Sequence, residues 1–378
     1  MICFISTFLS VKKDIFIKHF YGIKSRIIML MDDQILASIA RSGFALRLNA
    51  NEWKVLSAAS KSLTIAKISE TTKLPYSTVI DVVKRLARRG IIFSFVPHCD
   101  AIDLKPIFVL YGDRPLRNVP VYTQSVYDLR GKRNYKGVKA LVPAKYIHDY
   151  LSLFPGELEY YLIGSEIRHW TPEGKLTNYH PKYGLLLPRE DTLYEVIAES
   201  RVPLPAQERR WVDWVDLLII YFKMRYSFTK LSDMAGIITQ TFNIEPPSRQ
   251  LMSYHYRTHV TSLWSYNRPS FRLNTALIPL KLFIFQGSEG ETAAKTLIQA
   301  PYMYEAIVEF TKGLVIGQPP SFMESLVYQV INTTNPDIPF GFLLVTEEKS
   351  TPWISSKVIE YYKSKGEFPE PEVDSFEL

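Results

Sequence analysis

Hydrophobic and polar positions follow two regimes along this chain of 378 residues. Up to Ile92 the apolar residues recur at helical spacing. DDQILASIARSGF, just after Met31, reads as one helix. Asn49–Ser62 sets Trp53, Leu56 and Ala59 on one face, and Thr64–Lys73 turns Ile65, Ile68 and Thr72 inward. Leu74 and Pro75 break that pattern, because proline disfavours the helical conformation in the residue before it. A third helix, with Ser77 as its N-cap, places Val79, Val82, Val83 and Leu86 at i, i+3, i+4, i+7. Gly90 ends it and IIFSFV follows as a β-run. Three short helices, a tight turn and a β-hairpin together predict a winged helix-turn-helix.

From residue 105 the pattern changes to short aromatic and β-branched runs. KPIFVLY, VYTQSVYDLR, YKGVKALVP and ELEYYLIGSEI read as strands, with AKYIHDYLSLF a helix. Residues 171–208 are rich in proline and turn residues and read as a connector with one short helix. Helical spacing then returns in WVDWVDLLIIYFK and TKLSDMAGIITQTF. After Pro246 and Pro247 comes SRQLMSYHYRTHVTSLW, with Ser248 as N-cap and Leu251, Tyr254 and Val260 inward. From about Leu277 the order is strand (PLKLFIFQG), helix (SEGETAAKTLIQAP), strands (YMYEAIVEFTKG and GLVIG), helix (SFMESLVYQVINTT) and strand (GFLLVTEE). EFPEPEVDSFEL is expected to be disordered. A period of about 165–170 residues suggests a duplicated arrangement. The expected units are 31–100 and 209–272 as helix-turn-helix domains, 101–170 and 273–362 as the β-rich domains, 171–208 as connector and 363–378 as an acidic tail.

Charge sharpens this division. The formal net charge is +7. Residues 1–100 carry 15 Lys and Arg against 7 Asp and Glu, residues 101–200 carry 13 against 12, residues 201–300 carry 12 against 7, and residues 301–378 carry 5 against 12. A polyanion would therefore meet the two helical zones rather than the whole chain. The two cysteines, Cys3 and Cys99, make no disulfide framework and fit a reducing, cytoplasmic setting. No stretch approaches the length of a membrane span. The apolar MICFISTFLSV has no basic leader and is followed by VKKD, the reverse of a signal peptide. Residues 1–30 read as a poorly structured extension, with Met29 and Met31 as alternative starts.

Candidate chemistry concentrates on the third helix. The buried stripe leaves Tyr76, Ser77, Thr78, Asp81, Lys84, Arg85, Arg88 and Arg89 outside. Hydroxyls and free N–H groups at a helix start favour an anion, and cations further along neutralise phosphates. In the second helical zone the corresponding positions are Ser248, Arg249, Gln250, Ser253 and Arg257, with Arg268 beyond them. His255 and His259 share a helix face at a spacing that could bind zinc. Tyr256, however, stands where the metalloprotease signature has Glu, and no third ligand is near in sequence, so the sequence assigns no metal. His98 and Cys99 are adjacent, a poor chelating geometry. No phosphate-cradling glycine loop or nucleophile elbow occurs, so neither a cofactor nor an enzyme is expected.

The stretch from Leu48 to Tyr111, with its RLARRGII exit, extended FVPHCDAID and strand KPIFVLY in that order, resembles the leucine-responsive/asparagine-regulator (Lrp/AsnC) family of transcription factors. The resemblance implies a ferredoxin-like (βαββαβ) regulatory domain after each winged helix-turn-helix, hence an α+β chain with that arrangement duplicated. The first helix expected in the first such domain is missing or reduced to DRPLRN. The resemblance further implies a sequence-specific regulator bound to double-stranded DNA through the major groove. It also implies an amino-acid or related small-molecule effector, for which Gly287, Ser288 and Gly313 are the candidate pocket residues. Homo-oligomerisation through sheet edges is left open. Two other classes stand beside this reading: an adaptor that binds the transcription machinery through its winged helices and acidic C-terminal domain, and a small-molecule sensor that binds no DNA.

Overall fold

Local signals build the first helical group. The structure, a computed structural model, describes residues 33–114, 118–154, 156–203, 208–351 and 354–377. The N-terminal extension of residues 1–30 and the alternative starts lie outside these. Helix α1 (Asp33–Ser42) buries Leu36 and Ala40 against Leu185 and Leu187. Helix α2 (Ala50–Ser60) opens on a capping box in which the Asn49 side chain accepts from the Glu52 N–H and Glu52 accepts from the Asn49 N–H. Thr64 caps α3 (Ile65–Thr72), and Lys73 ends it in the left-handed region. Helix α4 (Tyr76–Arg88) begins directly after Pro75, whose extended backbone occupies the cap position, so Ser77 lies inside the first turn and is not the N-cap. Val79, Val82, Val83 and Leu86 form the expected buried stripe, in one core with Leu56 and Ile68.

The wing predicted after α4 is absent. Strand β1 (Ile92–Pro97) forms no hairpin; it pairs antiparallel with β10 (Trp264–Ser270), from Ile92 opposite Ser270 to Pro97 opposite Trp264. Five of the six β1 residues are buried, and a solvent-facing wing would leave that apolar run in water. Strand β10 follows the second helical group, α7 (Trp214–Arg225), α8 (Leu231–Phe242) and α9 (Arg249–Thr258). The two groups thus share one ribbon. Asn267 fastens it: fully buried, its amide donates to the carbonyls of Ala59 and Ser62, and its oxygen accepts from Ser227 and Trp264.

The β-rich segments also depart from expectation. They do not form two ferredoxin-like (βαββαβ) domains, each behind a winged helix-turn-helix. Strands β2 (Leu104–Gly112), β4 (Thr123–Arg130), β5 (Asn134–Pro143), β6 (Leu158–Ile163), β7 (Glu166–His169), β11 (Lys281–Gln286), β12 (Met303–Glu309), β13 (Lys312–Gly317) and β14 (Phe342–Ser350) join in one nine-stranded antiparallel sheet. Its order is β6-β2-β5-β4-β14-β11-β13-β12-β7. The junction is β14 on β4, from Leu344 opposite Arg130 to Ser350 opposite Ser125. Fusion there pairs two strand edges that separate domains would leave open. Between β2 and β4 the described residues hold only the short β3 (Asn118–Pro120) and no helix.

ELEYYLIGSEI is not one strand. It breaks at Gly164 and Ser165, with β6 on β2 at one end of the sheet and β7 on β12 at the other. A Cβ on Gly164 would lie 2.5 Å from Ile307 Cγ2 and 2.9 Å from Pro106 Cγ, so glycine permits this close crossing. The sheet therefore curls until its two ends meet along a single run of chain. Strand β2 is buried on both faces: Phe108 and Leu110 join one core, and Ile107, Val109 and Tyr111 the other.

The remaining elements clothe this frame. The connector holds a hairpin, β8 (Thr177–His180) with β9 (Leu185–Pro188), as well as the short helix α6 (Leu193–Ser200). Helices α10 (Gly290–Leu297) and α11 (Glu324–Thr334) cover the second half of the sheet, α12 (Ser356–Lys365) packs on α7, and α5 (Ile147–Ser152) follows β5. The acidic C-terminal stretch is docked rather than disordered. Phe368 is buried against Tyr122 and Tyr362, the Tyr122 hydroxyl donates to the Pro369 carbonyl at 2.7 Å, and β15 (Val373–Glu377) pairs with β3. Among the described residues no helix is long and apolar enough to cross a membrane.

Candidate nucleic-acid face and adjoining cleft

Helix α4 turns its polar residues to solvent. Tyr76, Ser77, Asp81, Lys84, Arg85, Arg88 and Arg89 are exposed, and Thr78 is half-buried. Two of the four cations are held by the molecule itself. Arg85 Nε lies 2.8 Å from Glu52 Oε1 and Arg89 Nη1 lies 3.0 Å from Glu52 Oε2, while Arg89 also donates to the Arg47 carbonyl. Burial alone would raise the Glu52 pKa. The Asn49 N–H and the two guanidiniums outweigh it and hold the carboxylate below its usual range. One carboxylate thus serves two cations, and the Arg85 side chain stays 47% exposed. Lys84 and Arg88 make no hydrogen bond or ion pair with the described residues.

The second helical group presents less. Ser248 does cap α9, accepting from the Leu251 N–H at 3.2 Å. The inward positions, however, are Met252, His255 and Val260; Leu251 and Tyr254 are exposed, at 41% and 56%. A shift of one residue turns a helix by about 100°, and packing against α7 and α8 sets the phase. Arg249 and Gln250 are exposed in the first turn. Arg257 is occupied by the Ser253 hydroxyl at 2.9 Å and by the Ser253 carbonyl. Arg268, in β10, points away from α9 toward Glu305, 3.0 Å away.

Glu305 belongs to a cleft that the sequence did not suggest. About 780 Å³ of open volume lies between the β1–β10 ribbon, α7 and the large sheet. Its cations are Arg89, Lys139, Arg225, Arg268 and Arg272, against the carboxylates Glu305 and Glu348. Lys139 grips both Glu305 oxygens at 2.8 and 2.9 Å. His169 Nε2 stands 3.4 Å from Glu305, while His169 Nδ1 meets the Tyr266 hydroxyl at 3.0 Å. Burial would raise the Glu305 pKa, but Lys139, His169 and Arg268 together hold it well below the usual carboxylate range. Burial, aided by Arg268, pushes His169 down to about 4, so the imidazole is neutral near pH 7. Arg272 pairs with Glu348 at 3.2 Å. Arg225 lies over the Tyr221 ring without a carboxylate partner among the described residues. The buried Tyr221 hydroxyl has no hydrogen-bond partner among the described residues. An excess of cation and an unpartnered hydroxyl suit an anionic ligand.

Gly287, Ser288 and Gly313 do not line this cleft. Gly287 has φ +87° beside Asp337. Gly313 lies in β13, where a Cβ would come within 2.4 Å of Ala294 Cβ, so it serves the close packing of α10 on the sheet. The structure also brings a residue to His255 and His259 that sequence spacing could not show: Asp216, at the start of α7, about forty residues away in the chain, touches both rings. Comparison of the chain with protein-family models, with curated proteins and with solved structures found no match.

Proposed function

We propose that this protein binds duplex DNA through the exposed face of α4 and acts as a sequence-specific transcriptional regulator. The supporting observation is the division of α4 into a wholly buried valine–leucine stripe and a polar face on which Lys84 and Arg88 have no partner within the described residues. A helix about 10–12 Å across fits a major groove about 12 Å wide. Ser77 and Thr78 in the first turn reach phosphates or base edges. Lys84 and Arg88, one turn apart, neutralise neighbouring phosphates. Arg85 and Arg89 add one further net positive charge after Glu52 is counted.

The test is selection of bound fragments from random duplex DNA, followed by affinity measurements across a salt series. Combined Lys84→Ala and Arg88→Ala should weaken binding at least about tenfold and reduce the slope of log affinity against log salt by about 2. Duplex affinity and salt slope left unchanged by that pair would remove α4 as the contact face.

The cleft favours a second reading, in which the protein senses a small anion. Its volume lies within the range of about 300–1,000 Å³ typical of ligand sites, and its lining carries more cations than carboxylates. Thermal unfolding in the presence of a panel of carboxylate and phosphate compounds tests this: a stabilising compound whose effect is lost in Arg225→Ala supports it.

A further inference from the structure

We infer that Asp216, His255 and His259 form a binding site for a divalent transition-metal ion that pins α9 to α7. Asp216 is fully buried. Its Oδ1 lies 3.0 Å from His255 Nδ1, and its Oδ2 lies 3.1 Å from His259 Nδ1. The ligand atoms of the three residues all lie within 4.8 Å of one another. Ligands bonded at about 2.0–2.2 Å to a tetrahedral zinc sit about 3.3 Å apart. The two Asp216–imidazole distances are already near that spacing, and closing the whole cluster, whose ligand atoms spread over as much as 4.8 Å, on an ion takes a side-chain adjustment of up to about 1.5 Å. Asp213 adds a second carboxylate, with Oδ1 3.5 Å from His255 Nδ1.

The site is held before any ion arrives. Asp213 and Asp216 form a capping box at the start of α7, in which the Asp213 side chain accepts from the N–H groups of Val215 and Asp216, and Asp216 Oδ2 accepts from the Asp213 N–H. That box fixes the Asp216 rotamer. His255 lies in the last turn of α9, and His259 is the residue that ends it. The spacing of four puts both rings on the side facing α7, with the ring of Tyr254 edge-on to each. The His259 side chain is 26% exposed, which leaves a path for an ion. Two imidazoles and a carboxylate suit Zn²⁺ and Co²⁺ rather than Mg²⁺ or Ca²⁺. In the metal-free protein each imidazole donates its Nδ1–H to the carboxylate. An ion bound through Nδ1 requires each ring to carry its proton on Nε2 instead.

The test uses full-length protein treated with chelator and then titrated with Co²⁺ alone. We expect visible d–d absorption that saturates at one equivalent per chain, is lost on adding Zn²⁺, and is accompanied by a Zn²⁺-dependent rise in the unfolding midpoint. His259→Ala should weaken Co²⁺ binding more than about 100-fold, since even second-shell changes cost about 10–100-fold. His259→Gln retains an N–H donor for Asp216 and so preserves the fold if His259→Ala does not; it too should lose the absorption. Absence of Co²⁺ absorption in the unaltered protein, or saturable binding that survives in folded His259→Gln, would overturn the assignment.

Discussion

Helices α4 and α9 each close a three-helix group and each lead into a strand of the same ribbon, yet they use their polar residues differently. In α4 the buried stripe is wholly aliphatic, so every charged side chain is left outside. In α9 the buried positions are Met252 and His255, and the imidazole is engaged by a carboxylate from a neighbouring helix. The cause lies in the partners. Helix α4 packs on α2 and α3, whose facing residues Leu56 and Ile68 are apolar. Helix α9 packs on the N-terminal turn of α7, where the capping carboxylates sit. Helix α9 spends His255, His259 and Arg257 on contacts within the molecule and leaves Arg249 and Gln250 exposed, whereas α4 leaves Lys84 and Arg88 without a partner among the described residues. The ribbon sets the two helices apart, because β1 and β10 run antiparallel for about 17 Å of strand and the helices enter from opposite ends.

The largest expected effect falls where both groups rest on the sheet. Glu305→Gln leaves Lys139 and Arg268 facing an uncharged group in a buried setting. It should cost about 3–5 kcal/mol in chemical denaturation; a loss below about 1 kcal/mol would mean that the cleft cations are solvated.

Acid tests the same cluster without mutation. His169, depressed to about 4 in the folded chain from an ordinary 6.5, is protonated first in the unfolded state. Stability present above pH 6.5 is therefore lost as pH falls toward 4, by about 3 kcal/mol at full extent. Glu305, held low, removes more below about 4.5, its ordinary value. His169→Gln should flatten the first part of that decline, as read by denaturant midpoints from pH 7 to 4.

A smaller loss is expected at the ribbon. Asn267→Ala removes donors to Ala59 and Ser62 and an acceptor for Ser227. It should cost about 2 kcal/mol and loosen one helical group from the other, visible as faster amide exchange in β1 and β10.

The smallest change is expected in the face that defines the contrast. Lys84→Ala with Arg88→Ala should alter stability by less than about 0.5 kcal/mol, because neither side chain has a partner among the described residues. Arg257→Ala, by contrast, should leave duplex affinity within about twofold, since that guanidinium is bound to its own helix.

The chain's own pattern determined the short-range features. The α4 stripe, the break at Leu74–Pro75, the Ser248 cap and the strands around Tyr111 and Val138 all follow from spacing and turn chemistry acting within about a dozen residues. It also placed the polar residues of α4 on one face, because amphipathic spacing fixes which side chains share a side. What spacing could not carry was pairing. IIFSFV reads the same whether its partner is the next run or one some 170 residues later, since strand periodicity holds no information about the partner's identity. Hence the hairpin wing, the two separate sheet domains and the disordered tail were expected, and a shared ribbon, one continuous nine-stranded sheet and a docked tail were found. The cleft and the Asp216–His255–His259 cluster belong to the same class. Each joins side chains from distant segments, and only burial of apolar surface across those segments, which is non-directional and long in range along the chain, decided that they meet.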